Sequence, residues 1–368
     1  MLLLQSAKAQ QVQPVSGYDF SKTDVWLMNN LDELGGRAVM VIFKDGKLIY
    51  THAINDLSNR QKIILKAIAR RQGVDPDLAL KEFGTTTKER IASCSKWLSA
   101  ALIMTFVDEG SLQLEDTVGK FLPVLTANGK GNITIWQCLS HLTGIKAGTI
   151  GETNEAMKDM KSMDEAIALI ARQPMEGAPG KTFHYSNAGL QIGAAVIEKI
   201  SGKSFEALFA QRIAIPCQMT NTDFGHGKVA LPAGGAWSTA EDYIKFLSMI
   251  LNEGKYNSAQ VLSKNAIIEM QKNRVGKDAY IAYIPAEAGN WGYGFGEWVM
   301  DDFDRLNLTT VADTRPEAVT SPGLFGSFPW IDRKLNYAGF LFSFNINSKG
   351  RNDRYRQLKK TIDEVLNK

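Results

Sequence analysis

The chain has 368 residues, 44% of them hydrophobic, enough for one large domain or two joined ones whose core needs neither disulfides nor a metal. Its 42 Lys plus Arg against 39 Asp plus Glu leave a net charge of +3, too even a balance to imply a nucleic-acid partner or an acidic substrate. Cys94, Cys138 and Cys217 have no metal-ligand spacing, and their odd number argues against a disulfide scaffold.

The chain opens on M-L-L-L-Q-S-A-K-A-Q, an apolar run too short for a membrane span or a complete export signal. Ala7-Lys8-Ala9 has the small-x-small form of an export cleavage site. Residues 1–19 therefore read either as a signal remnant, with a periplasmic or secreted protein behind it, or as the frayed terminus of a cytoplasmic one. A helix is expected from Ser21 to Leu34. R-A-V-M-V-I-F-K-D-G-K-L-I-Y-T-H then predicts two antiparallel strands turning at Asp45-Gly46. Between Lys96 and Ile215 the apolar spacing becomes helical, in W-L-S-A-A-L-I-M-T-F-V-D-E-G, S-M-D-E-A-I-A-L-I-A-R-Q and A-G-L-Q-I-G-A-A-V-I-E-K-I-S-G. Strand-like segments return at N-W-G-Y-G-F-G-E-W-V-M and N-Y-A-G-F-L-F-S-F-N, and a helix is expected from Asp353 to Leu366, with R-N-D-R-Y-R-Q-L-K-K as its solvated face. These elements predict an α+β fold: an antiparallel sheet domain from residues 20–95 and 216–368, with a mainly helical domain at 96–215 and a cleft between them.

Gly292-Tyr293-Gly294-Phe295-Gly296 lacks the spacing and the following lysine of a nucleotide loop, and reads as a tight or twisted strand. His52, His141, His184 and His226 are scattered without ligand spacing, so neither a metal nor an organic cofactor is expected.

I-A-S-C-S-K-W-L-S-A, from Ile91 to Ala100, places three serines around one lysine. On a helix beginning near Ser93 and running to Val107, residues three apart share a face and adjacent ones diverge by about 100°. Ser93 thus approaches the Lys96 amine, Ser95 points elsewhere, and Ser99 lies a turn deeper. Ser93 also sits at the helix N-terminus, where exposed N–H groups favour developing negative charge. A serine hydroxyl becomes nucleophilic when a neighbouring base takes its proton, and a desolvated lysine is such a base.

S-x-x-K in this context resembles the serine beta-lactamase-like superfamily: class C beta-lactamases, D-Ala-D-Ala carboxypeptidases and related esterases. Tyr185-Ser186-Asn187 matches that superfamily's Y-x-N motif, L-S-H-L-T-G-I at Leu139 resembles a family turn that makes His141 architectural, and G-G-A-W-S-T-A-E-D-Y-I-K-F at Gly234 resembles it too, with Ser238 or Thr239 as a helix N-cap. The third motif, K-T-G or H-x-G in the family, falls on S-P-G-L-F-G, where Ser321 takes the cation position, Pro322 the Thr position and Gly323 the Gly position. The resemblance implies a beta-lactamase/transpeptidase-like fold, with Ser93 as nucleophile, Lys96 and Tyr185 as proton relay, Asn187 holding the lysine or a substrate carbonyl, and the N–H groups of Ser93 and Leu324 as an oxyanion hole. The implied partner is a small-molecule ester or amide. Because Ser321 supplies no positive charge and Pro322 lacks the hydroxyl of the family's Thr, an esterase on small or medium acyl esters is expected; a beta-lactamase or D-Ala-D-Ala carboxypeptidase, and a silent protein binding peptidoglycan fragments or acting as a scaffold, are the alternatives.

Overall fold

The computed structural model describes residues 10–11, 17–71, 73, 75–148, 160–225, 227–300, 315–345 and 350–368. The small-x-small segment Ala7-Lys8-Ala9 and His226 lie outside these residues. In chain order the first elements are β1 (Gln10–Gln11), α1 (Ser21–Asn29), β2 (Arg37–Lys44), β3 (Lys47–Asn55), α2 (Asn59–Arg71), β4 (Glu89–Arg90) and α3 (Ser95–Asp108). Next come α4 (Pro123–Ala127), α5 (Ile135–Leu139), α6 (Met163–Arg172), β5 (Thr182–His184), α7 (Ala188–Ser201), α8 (Phe205–Phe209), β6 (Trp237–Ser238) and α9 (Ala240–Leu251). The chain closes through β7 (Lys255–Tyr256), β8 (Ala259–Gln260), α10 (Lys264–Gln271), β9 (Tyr280–Tyr283), β10 (Gly292–Tyr293), β11 (Trp298–Val299), β12 (Ala318–Thr320), β13 (Phe328–Asp332), β14 (Tyr337–Ser343) and α11 (Arg351–Leu366).

The main sheet runs β1-β3-β2-β14-β13-β12-β11-β10, every neighbouring pair antiparallel. Both ends of the chain build it, meeting where β2 lies beside β14 with Val41 opposite Phe340. The β2–β3 turn falls at Asp45-Gly46, both with positive φ (50° and 80°), the backbone a two-residue type I′ turn requires. Side chains alternate across the strands, and both faces are covered. Val39, Val41, Phe340 and Phe342 join the core shared with the helices, while Met40, Ile42, Trp330 and Leu341 pack with Trp26 and Leu27 of α1 and Leu358 and Ile362 of α11.

The helical run lies between sheet strands, and α3 is its axis. Every residue from Ser95 to Phe106 is buried, so this helix is apolar all round and shows no single stripe. α9 returns to the sheet and crosses β14, with the Tyr243 ring stacked on Phe340 at 4.7 Å between centroids. Its N-cap is Thr239, whose hydroxyl accepts the Asp242 N–H at 3.0 Å.

Some boundaries differ from expectation. α1 stops at Asn29, and turns ending at Gly35 and Gly36, with φ of 88° and 82°, lead into β2. The Gly292–Gly296 stretch holds β10 and the start of a hairpin turn that leads to β11, and the Gly294 N–H donates to Glu297 O at 2.9 Å across that turn. Gly296 is needed there because a Cβ would overlap the Lys96 carbonyl oxygen and crowd Ala100 on α3. The basic C-terminal run is mostly at the surface, yet Arg351 and Tyr355 turn inward.

Candidate active site

Ser93 lies in a 3₁₀ turn, Ala92–Cys94, that leads directly into α3. Ala92 has φ of 46°, a left-handed conformation that an L side chain resists and that survives only where neighbours over-determine it. They do so here. Ile91 O accepts the Cys94 N–H at 3.2 Å, and Ala92 O accepts the Ser95 hydroxyl at 2.6 Å. Ser93 O accepts the Ser321 hydroxyl at 3.3 Å, and Cys94 O accepts the Tyr243 hydroxyl at 2.8 Å. The turn is thereby tied to the sheet and to α9 on successive carbonyls.

Lys96 points back along the helix toward Ser93, as helical side chains do. Its Nζ is 3.1 Å from Ser93 Oγ, 2.7 Å from Ala233 O and 3.4 Å from Asn187 Oδ1. The Tyr185 ring lies beneath it, 4.7 Å from Nζ to the centroid. Lys96 is 0% exposed, and among the described residues no carboxylate forms an ion pair with it. Burial therefore disfavours the ammonium form and brings its pKa down to about 7. A neutral amine at this position donates to Ala233 O and Asn187 Oδ1 and offers its lone pair to the Ser93 hydroxyl.

The other two serines are engaged elsewhere. Ser95 Oγ bonds Ala92 O and accepts the Ala236 N–H at 3.0 Å, and Ser99 Oγ donates to Pro232 O at 2.6 Å. The 230s segment thus anchors both serines and the lysine. Its contribution was missed at the sequence level because a backbone carbonyl carries no residue signature; the nearest clue was the adjacent G-G-A-W.

His141, with φ of 59°, packs on Tyr185 at 4.7 Å between centroids. Its Nδ1 faces the Ser186 N–H at 3.4 Å and its Nε2 lies 3.0 Å from the Tyr293 hydroxyl. An accepting Nδ1 leaves the proton on Nε2. Burial first, then the nearby Lys96 charge, holds the imidazole well below its ordinary pKa, so it stays neutral and supports the Tyr185 ring.

The segment of the third motif, directly after β12, crosses the Ala92–Cys94 turn closely. A Cβ on Gly323 would overlap Ile91 O and lie 3.1 Å from Cys94 Sγ, so only glycine lets the two backbones approach. Ser321 is buried, and its hydroxyl is turned onto Gly296 O at 2.8 Å as well as Ser93 O, away from any substrate. Leu324 opens the turn that follows and is 42% exposed. Among the described residues the Ser93 and Leu324 N–H groups donate to no backbone carbonyl. Arg333 and Lys334 follow the far end of β13, bonded to Pro316 O and Glu317, roughly 20 Å along the strand from Ser327, whose carbonyl accepts the Gly323 N–H.

Among the described residues no cluster of three His, Cys, Asp or Glu side chains has metal-binding geometry, and no helix is long and apolar enough to cross a membrane. Cys94, Cys138 and Cys217 are buried free thiols.

A serine at a strained turn, a buried lysine three residues on and a Y-x-N segment beneath them, on a sheet made from both chain ends, define a class that the comparisons identify directly. The chain belongs to the beta-lactamase family, whose profile, described as Beta-lactamase, matches residues 29–366, and it is a member of the beta-lactamase/transpeptidase superfamily of serine hydrolases. Among its relatives, Protein Rv1367c of Mycobacterium tuberculosis (strain ATCC 25618 / H37Rv) is 26% identical over 295 residues, covering 66% of this chain and 71% of that one. A putative beta-lactamase from Bacteroides dorei DSM 17855 is 25% identical, with a TM-score of 0.76 over 96% of this chain and 100% of that one. EstCE1, a hydrolase with promiscuous acyltransferase activity, shares the fold at 18% identity, with a TM-score of 0.71 over 93% of this chain and 97% of that one.

Proposed function

We propose that the protein is a serine hydrolase that forms an acyl-enzyme on Ser93 and acts on small or medium neutral acyl esters. The observation that carries this reading is the buried Lys96 amine, with its pKa near 7, lying 3.1 Å from Ser93 Oγ. Lys96 takes the Ser93 proton as Oγ attacks the ester carbonyl; the oxyanion forms against the Ser93 and Leu324 N–H groups. Tyr185 passes the proton to the leaving alcohol, Asn187 keeps Lys96 oriented, and water then resolves the acyl-enzyme. Four such groups together serve acyl transfer; a silent scaffold has no use for a desolvated amine against a serine hydroxyl.

The preference for neutral esters rests on the third motif. Ser321 faces two carbonyls and Pro322 has no donor, so this strand presents no positive charge to an anionic substrate. A second reading, beta-lactam or D-Ala-D-Ala peptide hydrolysis, is favoured by the likeness to the putative beta-lactamase from Bacteroides dorei DSM 17855. The test compares kcat/KM for a short-chain p-nitrophenyl ester and a chromogenic cephalosporin on one preparation, with Ser93→Ala as background. The ester is expected to be the better substrate; a cephalosporin value about tenfold higher, abolished in Ser93→Ala, overturns the esterase reading in favour of the second.

The amine also sets a pH dependence. Ester kcat/KM should rise with pH, reach half its plateau near pH 7 as Lys96 loses its proton, and stay level into mildly alkaline solution. A profile flat from pH 5 to 9 contradicts Lys96 as the base. Stability follows the same group. The unfolded chain binds more protons than the folded one between about 7 and the ordinary lysine value of 10.5, so the Lys96 contribution makes the fold more stable as pH rises through that window.

A further inference from the structure

The spacing of Leu65, Ile68 and Ala69 on α2 gives this helix an apolar stripe, yet Ala69 alone on the helix is buried. The stripe overhangs a hollow of about 330 Å³ whose other apolar walls are Leu78, Trp237 and Phe344. The hollow is partly open to solvent, and its size falls in the range of small-molecule sites, about 300–1,000 Å³. None of Ser93, Lys96, Tyr185 and Asn187 lines it; β4, whose Glu89 does, precedes the nucleophile turn.

The hollow has one polar end. Arg37, the first residue of β2, is 4% exposed there, with its guanidinium 5.0 Å from the Phe83 centroid and Nη1 donating to Ala79 O at 2.9 Å. Its ion-pair partner Glu89 stands 3.8 Å away, beyond hydrogen-bond length. Burial destabilises both charges, lowering the Arg37 pKa and raising that of Glu89. A pair held apart with donors on one side and acceptors on the other suits a group that both accepts and donates. The wider lining is balanced: Arg37, Lys81 and Lys88 face Glu82 and Glu89, and Lys88 is bound at 2.5 Å to Asp223. A net charge on the ligand finds a like charge close by whichever sign it carries.

We propose that the hollow beneath α2 is a second ligand site, separate from the Ser93 cleft, for a neutral amphipathic molecule with a medium-length alkyl chain and a primary amide or alcohol head between Arg37 and Glu89. The chain lies along Leu65, Ile68 and Phe344. The inference stands independently of the Ser93 chemistry.

Calorimetric titration with octanamide, octanoate and octylamine tests it, on the wild-type protein and on Ser93→Ala. Octanamide should bind at one site per chain, equally in both proteins, and about tenfold or more tighter than either charged probe. Ala69→Phe, which fills the hollow, should weaken octanamide by about tenfold or more. If that variant does not fold, Ile68→Trp at the half-buried rim should do the same. Absence of octanamide binding, equal or tighter binding of a charged probe, binding unchanged in the filled variant that folds, or loss of binding after fluorophosphonate blocks Ser93 overturns the proposal.

Discussion

Lys96→Ala should lower ester kcat/KM by roughly 10²–10⁴-fold, the range for removing a positioned general base. On the proposed mechanism the loss should fall on kcat, because the amine, 3.1 Å from Ser93 Oγ, serves the proton transfer and not substrate binding. Lys96→Arg should not rescue, since a guanidinium stays protonated and presents no lone pair. Lys96→Met separates catalysis from folding: it removes a desolvated cation from a fully buried position, so its Tm at pH 6 should equal or exceed that of the wild type while activity stays lost. Activity of Lys96→Ala within about threefold of wild type removes the lysine from the mechanism.

The second large effect should come from Gly323→Ala. A single methyl there overlaps the Ile91 carbonyl, so the segment after β12 and the Ala92–Cys94 turn have to separate, and Leu324 moves with that segment. Loss of one well-placed oxyanion donor costs about 10²–10³ in kcat. Gly84→Ala is the matched control, because a Cβ at Gly84 meets nothing within 4 Å and its φ is not positive. Circular dichroism and Tm should show both variants folded, with kcat reduced only in Gly323→Ala. Wild-type kcat in a folded Gly323→Ala argues that the close strand crossing is not what places the oxyanion donor.

What the residues disclosed in advance was local chemistry. Asp45-Gly46 announced its hairpin because both positions need positive φ, and Ser93 with Lys96 announced a shared face because three residues nearly complete a helical turn. The antiparallel sheet flanked by helices was legible from strand-like runs at both chain ends. Backbone contributions were not legible. Ala233 O holds the lysine, yet alanine as a residue type carries no mark of that role, and the adjacent G-G-A-W is the nearest clue. The left-handed Ala92 was invisible because the bonds that hold it there come from Ser95, Ser321 and Tyr243, which are far apart in sequence. Ser321 occupies the position expected of a substrate-facing cation, and the Gly296 and Ser93 carbonyls turn its hydroxyl inward. The alternating glycine and aromatic residues of Gly292–Gly296 mimic the periodicity of one strand, and the close approach of Gly296 to α3 makes a turn there.

The central claim is that Ser93 is the nucleophile, and covalent labelling tests it most directly. After stoichiometric treatment with a fluorophosphonate, trypsin releases Ile91–Lys96 as one peptide carrying Ser93 and Ser95, with Ser99 in the next. Tandem mass spectrometry of that peptide should place the whole adduct on Ser93 and find none in Lys96→Ala, whose tryptic peptide extends further. An adduct on Ser95 or Ser99 with Ser93 unmodified, or no adduct on the wild-type protein, contradicts the account.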